Sequence, residues 1–313
     1  MKVAMGHHHH HGHTHAHGKT GTILIASLAV TLLFVATEAV AGWWSGSLAL
    51  LSDAGHNFTD AFGLLLAATA YSLESRPGDE VKTFGYQRTG VLAAFVNALM
   101  LVVLSVFLIW ESVQRLRAPE PVNDQVMLII AAIGLVVNLA IAWGVGGHGN
   151  DLNMRATFLH QIGDAASCVG IIIGALIIRA TGWLAVDPIL SIVMSLFIIW
   201  TAWDIFKDSL NILLEGLPKG LNLAEVTREI RRVPRVDDVH DLHIWSLGSE
   251  ASALSCHVVI EDMPTSESEL ILVDLNQVLA DRFDIHHATI QFEHTRCAVA
   301  DVCAGAGMVR DVH

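Results

Sequence analysis

Long apolar runs separated by short polar breaks fill the first two thirds of the chain, at about residues 22–44, 47–73, 90–114, 123–146, 156–179 and 183–205. At roughly 1.5 Å of rise per residue, a helix of such length crosses the hydrocarbon core of a bilayer. The pattern predicts six membrane-spanning helices with both termini on one side. Ala39-Val40-Ala41 looks like a signal-peptidase site, but Glu38 just before it and the length of the run favour a retained span. From Lys207 the pattern becomes that of a water-exposed unit. Residues 223–233 have helical periodicity, with Arg228, Arg231 and Arg232 on the polar side. Residues 236–247, 254–260 and 288–292 read as strands, and 266–283 as a helix opened by a capping-box pair, Ser266 and Glu269. The expected fold is an all-α six-helix transmembrane domain plus a C-terminal α+β unit with its helices on one face of a small sheet. The expected boundaries are a disordered tail at 1–19, the membrane domain at 20–206, the α+β domain at 207–296 and a second disordered tail at 297–313.

Composition agrees with the spans. Of 313 residues, 53% are hydrophobic and 16% charged, and the mean hydropathy of +0.51 is that of a multi-pass membrane protein. A net charge of -13 without a basic stripe excludes nucleic-acid binding. Cys168, Cys256, Cys297 and Cys303 lack CxxC spacing, so neither a disulfide framework nor a zinc ribbon is indicated. With the N-terminus inside, Lys19, Arg76, Lys82, Arg88 and Arg155 are cytoplasmic and only Arg115, Arg117 and Arg179 fall outside, which favours cytoplasmic termini.

Histidine changes the picture most. Eighteen occur, and residues 7–11 with His13, His15 and His17 form a low-complexity tract. An uninterrupted block would read as a purification tag; the continuation Gly-His-Thr-His-Ala-His favours a flexible metal-collecting tail. Inside the apolar runs the informative residues are two copies of His-x-x-x-Asp, His56/Asp60 and His160/Asp164. Residues four apart share a helix face, so each span offers an imidazole beside a carboxylate. Ionisable groups are costly in a bilayer and mark an ion or substrate path. Two facing pairs supply two nitrogen and two oxygen ligands, a tetrahedral set suited to zinc. Metal and protons compete for those atoms, so the site is also a proton-coupled one. Asp53 shares the face of His56 and is expected to orient an imidazole, whereas Glu38, Asn97, Glu111, Asn138, Asp187 and Asp204 read as helix-end or interhelical hydrogen-bonding residues. Gly170-x-x-x-Gly174 suggests close helix packing. In the α+β unit, His240, His243, His257, His286, His287 and Glu293 lie on or beside the expected strands, where a second metal site is plausible, while Cys256 reads as a small buried residue.

With Ser47-Leu48-Ala49-Leu50-Leu51-Ser52-Asp53-Ala54-Gly55-His56-Asn57-Phe58-Thr59-Asp60, Phe84-Gly85-Tyr86-Gln87-Arg88, His160-x-x-x-Asp164 and His240-Asp241-Leu242-His243-Ile244-Trp245, the chain resembles the zinc-exporting branch of the cation diffusion facilitator family over about residues 19–294. The resemblance implies six spans, a cytoplasmic ferredoxin-like domain with metal-sensing sites, homodimers, and export of Zn2+, with Cd2+ and Co2+ as further cargoes, in exchange for protons. It implies that His56, Asp60, His160 and Asp164 hold the transported ion between the second and fifth spans. His240, His257 and Glu293 match ligand positions of a cytoplasmic site, where zinc would be structural or regulatory. Arg88 and Glu215 match an interlocking charge pair beneath the membrane. The histidine site that some members carry between the second and third spans is missing, since 76–88 offers Asp79 and Glu80 but no histidine. The expected setting is a bacterial inner (plasma) membrane.

Two other functions compete. Membrane di-metal oxidases and desaturases use histidine boxes, but the spans here offer ligands for one metal, each histidine followed by Asp. A metal sensor without transport is the second rival. A transporter without enzymatic activity is the expectation, and no nucleotide-binding Gly-x-x-x-x-Gly-Lys occurs in the chain.

Overall fold

The computed structural model describes residues 17–146, 152–249 and 251–295. The histidine tract up to residue 16 and the C-terminal residues with Cys297 and Cys303 lie outside the described residues. Six long helices come first: α1 His17–Ser45, α2 Leu48–Glu74, α3 Thr89–Arg117, α4 Asp124–Gly146, α5 Leu152–Thr181 and α6 Val186–Leu213. Then follow α7 Leu223–Arg231, β1 Val236–Ser246, β2 Ser252–Ile260, α8 Thr265–Phe283 and β3 Ile285–Glu293. Two compact units result, one of residues up to Phe62 with Leu101–Trp200, the other of Gly63–Met100 with the chain from Thr201 onward; α2, α3 and α6 contribute to both.

The first unit is patterned inside out. Leu33, Trp43, Trp44, Val136 and Trp143 are exposed, whereas Glu38, Asp53, Asn57, Asp164 and Asp187 are buried. That is the arrangement of helices solvated by lipid around a polar interior, and the protein is a multi-pass membrane protein. α3, α4, α5 and α6 are each long and apolar enough to cross a membrane over their described residues. α2 is just as long but carries Asp53, His56 and Asp60, which lower its hydropathy. Ala49, Leu50, Met127, Ala131, Ile171, Ala175, Ile178 and Val186 form a core joining α2, α4, α5 and α6. Half of the Gly170/Gly174 stripe serves close packing: a Cβ on Gly174 would collide with Leu190 of α6, while Gly170 faces open space.

The second unit holds the sheet, in the order β1-β2-β3, with β1 antiparallel and β3 parallel to β2. Asn222 caps α7, accepting from the amides of Ala224 at 2.9 Å and Glu225 at 3.3 Å. α7 and α8 both bury their apolar stripes on one face of the sheet, where Val226, Ile230, Ile271, Leu275 and Leu279 meet Leu254, Cys256 and Val258. This is the expected α+β arrangement. Asp284, in the left-handed conformation at φ 55, ends α8 and turns the chain directly into β3.

Three expectations need correction. α6 continues to Leu213, past the end of its apolar run, because hydropathy does not stop a helix; the stop comes from Glu215 at φ 60, followed by Gly216. α1 begins at His17, inside the expected tail. The capping box at Ser266 does not form, since α8 starts at Thr265 behind Pro264, which has no side-chain acceptor to offer, and Ser268 instead donates to the Thr265 carbonyl at 3.0 Å.

Candidate metal centres

The start of α2 is held by a residue from another helix. The first amides of any helix lack intrahelical acceptors. Here buried Asp187, at the start of α6, accepts from Ser47 Oγ at 2.5 Å, the Leu48 amide at 2.7 Å and the Ala49 amide at 3.2 Å. A carboxylate at a helix N-terminus is also favoured by the helix dipole. One turn on, Ser52 Oγ and Ser191 Oγ are 2.7 Å apart, a second link between the same helices. The rotation of α2, and so the direction in which His56 and Asp60 point, is set from α6.

Across from it, α5 presents His160 and Asp164. His56 Nε2 lies 3.4 Å from Asp60 Oδ2 and 3.9 Å from Asp164 Oδ1; His160 Nε2 lies 3.3 Å from Asp60 Oδ2 and 3.5 Å from Asp164 Oδ2. Zinc bound at about 2.0–2.1 Å in a tetrahedron needs donor atoms roughly 3.3 Å apart. The imidazoles stand edge to face, centroids 6.0 Å apart. Donor atoms of His56, Asp60 and His160 lie within 4.8 Å of one another, and Asp164 closes the ring from below. The side chain of Asp164 is 6% exposed and that of His160 44%, so the set has a closed floor and an open rim. Asp60 Oδ2, between the two imidazole Nε2 atoms, is buried with no aligned hydrogen bond, and His56 Nδ1, the ring nitrogen not used in the quartet, has no partner either.

A second cluster comes from strands. His240 and His257 are directly paired across β1 and β2, with ring centroids 5.3 Å apart, and Glu293 on β3 lies on the same face. That face is the one turned away from the apolar core, because side chains alternate along a strand. His257 Nδ1 is 2.9 Å from Glu293 Oε1, and His240 Nε2 is 3.3 Å from Glu293 Oε2. Neither ring nitrogen of buried His240 is aligned for a hydrogen bond. Two imidazoles, one of them buried and without a hydrogen bond, and one carboxylate fit a zinc ion with one position left over.

Other sequence candidates go elsewhere. Asp53 does not hydrogen-bond His56; its partner is Cys168 Sγ at 3.8 Å. His243 pairs with Asp241 at 3.0 Å, in a bulge where Asp241 takes φ 51. His286 pairs with Asp284 at the surface, and His287 packs edge-on against Phe84. Cys256 lies in the core, on the opposite face of β2 from His257, where burial pushes its thiol up to about 12. Arg88 Nη1 lies 3.3 Å from Glu215 Oε1 and its Nη2 donates to the Ser246 carbonyl, tying the α2–α3 loop to the sheet. Glu38, expected as an interhelical hydrogen-bonding residue, is buried on α1 and turned toward Asp53 and Asn57 of α2. The legible signal was a carboxylate in an otherwise apolar run.

Residues 24–214 match the cation efflux transmembrane domain, and residues 218–295 the cation efflux protein cytoplasmic domain. The zinc transporter ZitB of Escherichia coli is 42% identical over 293 residues, 93% of each chain. The metal cation efflux system protein CzcD of Cupriavidus metallidurans is 41% identical over 276 residues, 88% of this chain and 87% of that one. A cadmium, cobalt and zinc/H(+)-K(+) antiporter of Bacillus subtilis is 39% identical over 280 residues, 88% of this chain and 90% of that one. Among solved structures, the metal-bound C-terminal domain of the CzcD transporter is 49% identical, covering 23% of this chain and 99% of that one with a TM-score of 0.22. The chain belongs to the cation efflux family, the cation diffusion facilitators.

Proposed function

We propose that the protein exports Zn2+ from the cytoplasm in exchange for protons, with Cd2+ and Co2+ as further cargoes, working as a homodimer in a bacterial inner membrane with both termini cytoplasmic. The cargo ligands are His56, Asp60, His160 and Asp164. The observation that carries this reading is the convergence of two His-x-x-x-Asp faces, from α2 and α5, at the donor spacing of one tetrahedral ion. Two nitrogens and two carboxylate oxygens favour zinc over the oxygen-seeking Mg2+ and Ca2+. An imidazole nitrogen cannot hold zinc and a proton together. With the site open to the cytoplasm zinc displaces protons; open to the other side, protons displace zinc. The zinc and antiporter names of the relatives point the same way. The single-ion donor set argues for a transporter and against a histidine-box enzyme, which needs ligands for two metals.

His240, His257 and Glu293 would hold a second zinc in the cytoplasmic domain. There zinc would cross-link β1, β2 and β3; the residues hold the ion while Asp241, 3.9 Å from His257 Nε2, orients that ring. A tail at 297–313 and a metal-collecting role for the histidine tract that precedes α1 belong to the same proposal.

The test is zinc uptake into vesicles holding the protein inside out, with membrane potential clamped. An acidic lumen should drive uptake, and uptake should alkalinise the lumen. Uptake indifferent to the imposed pH gradient would rule out exchange and leave a uniporter.

A further inference from the structure

The quartet is open on one side and shut on the other. His56 lies 3.9 Å from Asp164 and Asp60 lies 3.3 Å from His160, so α2 and α5 pass each other antiparallel. The exposed rim at His160 is therefore the end farther from the start of α2. Toward the start of α2 the way is closed first by the apolar core, where Ala49, Leu50, Met127, Ile171 and Val186 are buried. Beyond it lies a polar layer built on the turn between α1 and α2. Gly46 in that turn takes φ 69, and a Cβ there would stand 3.0 Å from the Pro121 carbonyl oxygen. The Gly46 carbonyl accepts from Nη1 of Arg115, in the last turn of α3. Arg115 Nε lies 3.3 Å from Glu111 Oε1 and 3.3 Å from Glu120 Oε2. The Asn123 amide donates to the Ser45 carbonyl at 2.9 Å, a second tie on the same turn. All of these residues belong to the first unit.

The Arg115 side chain is 14% exposed, and a guanidinium does not shed its charge, so it needs acceptors in every arrangement of the helices. Glu111 lies one turn back on α3 and Glu120 in the loop that follows, so both travel with Arg115. Gly46 belongs to the turn between α1 and α2. Parting Arg115 from Gly46 therefore breaks one hydrogen bond and leaves both ion pairs in place. Such a contact holds the closed arrangement, yet it opens without stranding a buried charge. The turn also leads straight into the ligand helix. From Leu48 to His56 is eight residues, about 12 Å of helix, so displacement of the turn displaces the end of the helix that carries two of the four ligands.

We propose that Arg115 is the latch on the release side of the transporter. An ion that enters over the rim at His160 must leave past the shut side. That side opens when the guanidinium lets go of Gly46, the turn moves off α3, and the apolar layer beneath it parts. The inference rests on the transport reading above and adds the contact that sets which face is open. Arg115 is a positioning residue: it acts on the ion through α2. The rim-open arrangement is the latched one, so zinc affinity measured from the rim depends on the fraction of protein that is latched.

The test reads access from each side of the membrane. In full-length protein with the four cysteines replaced by Ser, Ser52→Cys places a thiol on α2 between the latch and His56. A membrane-impermeant methanethiosulfonate is added to vesicles from the latch side alone or from the rim side alone. Arg115→Gln should speed labelling from the latch side at least about tenfold and weaken the apparent zinc affinity at the rim. Arg115→Lys, which keeps the charge, should recover part of both. Gly46→Ala, which presses the turn off Pro121 and away from Arg115, should act in the same direction, and it answers the question should Arg115→Gln not fold. Unchanged labelling in either folded variant would overturn the latch, as would equal acceleration from the rim side, the mark of general loosening. An unaltered chain that moves no zinc would contradict the transport reading instead, because labelling reads the latch without flux.

Discussion

The protein builds two clusters from similar donors on different scaffolds. On α2 and α5 each helix brings one imidazole and one carboxylate, so the set exists only while two separate helices keep their spacing. In the sheet, His240, His257 and Glu293 sit on three strands tied by ladder hydrogen bonds, so their spacing is part of the fold. A shift of α5 against α2 by an ångström or two (about the size of ordinary interface helix shifts) would open the first cluster. No comparable motion opens the second without breaking the sheet. The difference suits a site that must release its ion on one side and a site that retains it on the other.

Removing one ligand from each cluster should separate them most. Asp164→Ala is expected to lower zinc flux by at least about 100-fold while helical content and oligomeric state stay intact. Glu293→Ala should keep maximal flux within a few-fold and change the zinc concentration at which the cytoplasmic domain responds. Equal loss of flux in both would erase the distinction. The next largest effect should come from Asp187→Asn, which weakens the cap that fixes α2. Caps of this kind are worth about 0.5–2 kcal/mol, so zinc affinity at the quartet should fall several-fold to tens-fold. Affinity at the sheet cluster, measured in the same titration, should not move.

The fold and the quartet were legible because each rests on local repetition. Apolar length marks a span, and a four-residue spacing puts His and Asp on one face before anything is known about neighbours. What stayed hidden depends on partners distant in sequence. Asp187 could be read as a helix-end residue, but not as the cap of α2, whose flanking Ser47 lies 140 positions earlier. The place of His243 turns on a bulge at Asp241, which periodicity does not announce.

A smaller effect sharpens the contrast between ligand and core on one strand. His257 faces Glu293, while its neighbour Cys256 is sealed in the core with its thiol pushed by burial up to about 12. The folded state disfavours the thiolate, so this group's share of stability is present below the ordinary thiol value and is lost as pH rises toward that of the fold. In full-length protein with Cys168, Cys297 and Cys303 replaced by Ser, a water-soluble maleimide at pH 8.5 should label Cys256 at least about ten times more slowly than a free thiol. Labelling at the free rate would mean that β2 does not pack as described.

The central claim is that two helix-borne His/Asp pairs hold one ion, and zinc X-ray absorption tests it most directly. The protein would lack residues 2–17, carry His257→Ala to silence the sheet cluster, and receive one zinc per protomer. The account predicts four light-atom neighbours at about 2.0–2.1 Å, two of them imidazole nitrogens, with one imidazole signal lost in His160→Ala. A sulfur neighbour, or a spectrum unchanged by His160→Ala, would contradict it.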